Sequence, residues 1–206
     1  MIRWLITLSI VVSAIIVAVI VVYDYDSGGK DSRKNMCVAM IMRGVCNDHS
    51  WNESHCKAIE NVAQRLNLNV AYYENTPPDS TAYNNMEKAI ADGAEIVIAN
   101  SFDFGAAAMS VAKKHPKVKF LHAAGVRSGA NLLTYYGRIY QMRYLSGIVA
   151  GLKTKTNEIG YLASFKISEV VRGLDAFTLG VQKVNPQAKV FVNWTHSWSD
   201  ESMSAE

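Results

Sequence analysis

No block of lysine and arginine interrupts this chain of 206 residues, and its formal charge of +3 is spread without an arginine stripe interleaved with aromatics. A nucleic-acid footprint needs such clustering, so nucleic acid is excluded as a partner. A G-x-S-x-G elbow and a phosphate-loop motif are both missing. His122 has no serine or carboxylate partner in sequence, so no enzyme and no cofactor is expected, and His122 reads as a core histidine. There is no short-period repeat and no low-complexity tract beyond one polar tether, which excludes repeat architectures. Cysteine is scarce, three in all, and none follows at once on the N-terminal apolar run. Lipoprotein processing therefore has no acceptor.

What the chain does have is apolar residues, 50% of the total, enough for one medium domain or two small lobes. Residues 5–22, LITLSIVVSAIIVAVIVV, are uncharged and flanked by Trp4 and Tyr23. That length and those flanks fit a membrane-crossing helix, so residues 1–23 are expected to form a transmembrane anchor. A cleaved signal is the alternative, with Val12-Ser13-Ala14 as its one small-residue hint. Arg3 before the run and Lys30, Arg33 and Lys34 after it leave the orientation open by charge. Residues 24–34, DYDSGGKDSRK, read as a flexible tether.

From residue 35 strands and helices alternate. MCVAMIM is a strand-length run, and residues 52–66 carry helical spacing at Ile59, Val62, Ala63 and Leu66. Ser50 and Glu53 have capping-box spacing, which places the helix start at Trp51. NVAYYE, EIVIAN and VKFLHAAG read as further strands, separated by helices over 81–92, stopped by Gly93, and 105–115, ended by Pro116. Parallel strands need crossover helices, so this series predicts an α/β fold with a parallel sheet covered by helices on both faces. Ligands of such sheets sit at the carboxyl ends of the strands. That rule marks residues 43–51, 100–104 and 123–127. A helix over 138–152, in which Gly147 and Gly151 permit close approach, precedes a new set: EIGYLAS, a helix over 169–184, and AKVFVNW. The expected division is an N-terminal α/β lobe over 35–137, then a crossing helix and a partial second lobe over 138–206.

The stretch GRIYQMRYLSGIVAGLKTKTNEIGYLASFKISEVVRGLDAFTLGVQKVNPQAKVFVNWTHSW closely resembles the basic membrane protein family, the extracytoplasmic substrate-binding proteins of ABC importers that include purine-nucleoside receptors. Upstream, NDHSWNE and ANSFDFG are similar to that family's first two ligand loops, and the resemblance covers roughly residues 36–206. It implies a type I periplasmic-binding fold, two α/β lobes closing on a small ligand, with an ABC permease or a membrane signalling partner reading the closure. It also implies a globular part outside the cytoplasm, periplasmic or extracellular, held at the cell membrane. The competing expectation is the ligand-binding ectodomain of a membrane-anchored sensor. Because the family continues beyond the two second-lobe strands, a fragment or truncated reading frame is expected, with an exposed sheet edge and apolar face.

The resemblance also names ligand residues. Trp51 and Asn52 match the stacking aromatic and the hydrogen-bonding asparagine of nucleoside-binding members; Trp51 could instead be a staple on its own helix. Asp48 is either a ligand acceptor or a turn former. Those members carry an aspartate where this chain has Met42, and the acid expected after the fourth strand is missing from LHAAG, so two acceptors of the nucleoside pattern are absent. Ser101, Phe102 and Asp103 reach the strand ends, Phe102 as wall or core and Asp103 as acceptor. In the second lobe Phe165 could close an aromatic sandwich over Trp51. Glu169 and Arg172 share a helix face, as ligand contacts or as a surface pair. Trp194 and Trp198 are cleft or hinge candidates. Cys46, His49, His55 and Cys56 have zinc-binding residue types, but consecutive helical residues point about 100° apart, so no metal is expected. Cys46 and Cys56 are disulfide candidates in an oxidising compartment, and Cys37 is expected to be a buried thiol.

Overall fold

The computed structural model describes residues 35–198, so the expected anchor and tether over 1–34 lie outside the described residues. Among those described, no helix is long and apolar enough to cross a membrane. The chain divides into two compact units between Tyr136 and Gly137.

The first unit runs β1 (Cys37–Ile41), α1 (Trp51–Leu66), β2 (Asn69–Tyr73), α2 (Ser80–Ala91), β3 (Ile96–Ala99), α3 (Gly105–Lys114), β4 (Lys119–Ala123) and β5 (Leu132–Tyr135), with one 3-10 turn over Phe102–Phe104. All five strands are parallel, in the order β2-β1-β3-β4-β5. The three central strands are apolar on both faces because helices cover both. On one face Ile41, Val97 and Phe120 pack against Met86 of α2 and Val111 of α3. On the other, Met40, Ile98 and Leu121 pack against Cys56 and Ile59 of α1. Gly93, at φ 101, stops α2 as its left-handed conformation requires. The strand β5 was not anticipated: LLTY is short and only Leu132 is fully buried, so the tertiary pairing of Phe120 with Leu132 defines it more than any periodicity.

The second unit holds α4 (Ile139–Lys153), β6 (Glu158–Ala163), α5 (Ser168–Val184) and β7 (Lys189–Trp194), and β6 pairs in parallel with β7. The expected close approach at Gly147 is real, and α5 contributes a third glycine to it. A Cβ at Gly147 would sit 2.0 Å from the Phe177 carbonyl oxygen, and one at Gly180 2.1 Å from that of Tyr144. Phe177 and Val181 fill the core beneath, beside Ile159 and Val190. On the opposite face of the two strands Leu162 and Phe191 are each 54% exposed.

Candidate functional site

The loops after β1 and β3 lie at the carboxyl edge of the five-stranded sheet, and the strand register places them side by side. Ile41 pairs with Ala99, and the Asn100 N–H donates to the Ile41 carbonyl at 2.9 Å, so the loops after β1 and β3 leave the sheet as neighbours. The first of these opens α1. Its helix start lies at Trp51 as expected, but the capping box does not form, because the Ser50 side chain makes no cap bond and Glu53 is held by His49 and Lys57. Asp48 caps instead. Its Oδ1 accepts from the N–H groups of Ser50 at 2.9 Å and Glu53 at 3.0 Å, and its Oδ2 from the Asn52 N–H at 3.0 Å. Partial burial pushes the Asp48 carboxyl up, but these donors outweigh it and hold the group below the ordinary carboxylate value.

Asn52 is 5% exposed, and its amide bridges inward: Nδ2 donates to Asp48 Oδ2 at 2.9 Å, while Oδ1 accepts from Asn100 Nδ2 at 3.1 Å. Both Asp48 and Asn52 are thus engaged by protein partners. Asn100 is fully buried, and its Oδ1 has no hydrogen-bond partner among the described residues. Trp51 is half-buried at the strand ends, and its indole N–H donates to the Asn100 carbonyl at 2.8 Å, which fixes the ring plane. His55 lies 4.4 Å from it, ring to ring, and Tyr136 lies 6.3 Å away at 30°. Burial holds His55 below the ordinary histidine value against the raising effects of the Trp51 carbonyl and the Asp48 charge. Its Nδ1–H donates to that carbonyl at 2.8 Å.

After β3, Ser101 is 9% exposed and acts as a turn former: its Oγ accepts from the Asp103 N–H at 3.4 Å, and its carbonyl accepts from His122 Nε2 at 2.8 Å. His122 is 4% exposed and sits in the core as expected, with burial holding its pKa down. Phe102 is half-buried. Asp103 lies 3.7 Å from Arg43 Nε, and their side chains are 27% and 36% exposed. Met42 is fully buried with its sulfur 3.6 Å from that of Cys56, so the end of β1 offers packing and no acceptor.

Cys46 and Cys56 form a disulfide, which withdraws both thiols from the zinc-type set. It ties the loop to α1, while the Cys46 N–H donates to Glu74 Oε1 at 2.8 Å. Cys37 corrects the expected buried thiol: it is half-buried at the start of β1, because its sulfur turns toward the Asn35 carbonyl at the sheet's amino edge.

In the second unit Phe165 lies 5.2 Å from Trp198 and 6.4 Å from His196, ring to ring, beyond the carboxyl ends of β6 and β7. The Lys166 ammonium lies 5.4 Å from the Trp194 ring. Arg172 is exposed, with its guanidinium 6.0 Å from the Tyr140 ring, and Glu169 is half-buried in the first turn of α5.

The model of the PnrA-like ABC transporter substrate-binding proteins, the Bmp family, matches residues 36–206. The chain belongs to this family. A purine-binding protein of Brucella abortus (strain 2308) is 31% identical over 181 residues, 87% of this chain and 52% of that protein. A putative ABC transporter glucose-binding protein, TsgA13 of Haloferax volcanii, is 32% identical over 182 residues, 88% of this chain and 46% of that protein. The chain thus spans about half the length of the curated relatives it matches. An ABC transporter solute-binding protein from Aeropyrum pernix K1 shares the fold at a TM-score of 0.71 and 18% identity, over 82% of this chain and 50% of that one.

Two residues of this cluster lie beyond what the sequence alone singles out. Tyr136 reaches Trp51 only because β5 delivers it there, and Arg43 meets Asp103 only through the β1–β3 register. Arg43 did lie in the loop marked by the strand-end rule, which was the one available signal.

Proposed function

We propose that this chain provides the ligand-recognising part of an extracytoplasmic solute-binding component that serves an ABC permease, and that its ligand is a nucleoside or base stacked on Trp51. The observation that carries the reading is the indole itself: it is half-buried at the sheet's carboxyl edge, and its N–H is tied to the Asn100 carbonyl. With the N–H engaged, the ring serves as a wall and not as a donor, and a flat solute is the natural complement of an aromatic face. Asp48 and Asn52 act by positioning that wall. Phe102, half-buried in the loop after β3, extends it. The anchor over residues 1–23 would keep the globular part at the outer surface of the membrane.

The test is a thermal-shift screen of the full chain against nucleosides, bases and hexoses. A ligand at 100 times its dissociation constant stabilises the folded state by about 2.7 kcal/mol. A shift with nucleosides or bases that disappears in Trp51→Ala supports the reading. Stabilisation by a hexose alone, or by nothing planar, overturns it.

A further inference from the structure

Resting on that reading, we infer that the Cys46–Cys56 bridge is a thiol-responsive lock on the ligand wall. Closed, it holds the loop that carries Asp48 and Trp51 in its binding form; reduced, it lets that loop open and the ligand leave while the sheet stays folded. The bridge encloses residues 47–55, so the cap residue, the indole and Asn52 all lie inside the ring it closes. Apolar packing does not hold that ring. Among the described residues 43–55, Asn52 alone is buried, and it is an amide. Cys56 is 2% exposed and packs with Met40, Met42, Ile59 and Ile98 on one face of the sheet, while Cys46 is half-buried with its N–H tied to Glu74. The bridge therefore joins the loop to the core at the point where α1 first meets it through apolar atoms. Inside the ring His49 takes φ 54, a left-handed conformation that a non-glycine residue adopts at a cost, so the closed path is not the one a released loop prefers.

The chemistry balances with a dithiol as the reductant. Its thiolate attacks the sulfur of Cys46, the less buried of the pair, and the Cys56 sulfur leaves and takes a proton. The second thiolate of the reductant then closes its own disulfide and frees Cys46, so the protein bridge gains two electrons and two protons and the dithiol loses them. The Cys56 thiol has a seat in the core, because the Met42 sulfur 3.6 Å away is a weak acceptor. Cys37 cannot resolve the exchange: it stands at the other end of β1, on the amino edge of the sheet, with its sulfur turned to the Asn35 carbonyl. With the bridge open, ligand affinity falls to the fraction of chains whose loop keeps its binding form.

Isothermal titration of a purine nucleoside into the full chain before reduction, after treatment with dithiothreitol and again after reoxidation tests the lock, with thiol counts by mass spectrometry and amide exchange beside it. Reduction should weaken the nucleoside about tenfold, as follows if about one loop in ten keeps its binding form, and reoxidation should restore it. Cys46→Ser with Cys56→Ser should bind at the reduced value with or without the dithiol. On reduction the N–H groups of Ser50, Asn52 and Glu53 should exchange about tenfold faster or more, while β1, β3 and β4 keep their protection. A reduced chain that binds within twofold of the oxidised one, and still needs Trp51 to do so, overturns the lock and leaves the stacking reading intact. Loss of protection throughout the sheet makes the bridge a general staple and also overturns the lock. If the oxidised chain binds no nucleoside, both fall.

Discussion

Replacing Asp48 by alanine removes, in one step, the cap of α1 and the partner of a buried amide. Three backbone N–H groups, of Ser50, Asn52 and Glu53, lose their acceptor, and the Asn52 side chain, 5% exposed, loses the partner of its Nδ2. Losing a cap costs about 1–2 kcal/mol, and a buried donor left without a partner costs about 1–3 kcal/mol, so the substitution should destabilise the first unit by about 2–5 kcal/mol. Asp48→Asn keeps one acceptor oxygen and should lose about half as much by the same reasoning. The pH dependence follows from the lowered carboxyl value: a group whose folded value is depressed contributes stability that is fully present above the unfolded value, about 4, and lost as pH falls through the still lower folded one. The gap between the unaltered chain and Asp48→Asn should therefore be full at pH 7 and shrink below about pH 4. Urea denaturation at pH 7 and pH 3, followed by far-UV circular dichroism and by amide exchange in the first turn of α1, measures both. Asp48→Ala within about 0.5 kcal/mol of the unaltered chain at pH 7, the ordinary scatter of surface changes, would refute the cap.

Two further outcomes follow from the packing. Reduction of Cys46–Cys56, or Cys46→Ser with Cys56→Ser, releases a loop closed over a sequence separation of 10, and should cost about 3 kcal/mol; a melting temperature lowered by several degrees is the readout, and no change would show that the loop is held by its hydrogen bonds alone. Gly180→Ala puts a Cβ 2.1 Å from the Tyr144 carbonyl oxygen, a clash with backbone that cannot rotate away, so α4 and α5 should separate at a cost of about 3 kcal/mol; an unchanged melting curve and unchanged amide protection in α5 would contradict the tight crossing.

Much of this architecture is legible in the chain. The central strands read clearly because CVAMI and IVIA are continuous apolar runs buried on two faces, and KFLHA is buried on both faces from Phe120 onward. The expected parallel sheet with helices on both sides is what these runs build, while β5 carries too few buried residues to announce itself. At the site, the position of Trp51 could be read from the strand-end rule, but the cap could not: Ser50 and Glu53 have the right spacing, and only the backbone path lets Asp48 reach the helix first. The Cys46–Cys56 pairing expected from sequence is the disulfide that forms. Arg43 and Asn100 lie in stretches the strand-end rule marks, but their partners, and the place of Tyr136 beside Trp51, come only from register, because the residues they touch are distant in sequence.

The role of Trp51 is tested most directly by isothermal titration of a purine nucleoside into the full chain and into its Trp51→Ala and Trp51→Phe variants. Stacking of a base on an aromatic ring contributes about 1–3 kcal/mol, so the alanine variant should bind about 5- to 150-fold more weakly while the phenylalanine variant keeps most of the affinity. An alanine variant that binds within twofold of the unaltered chain would contradict the indole as the ligand's wall.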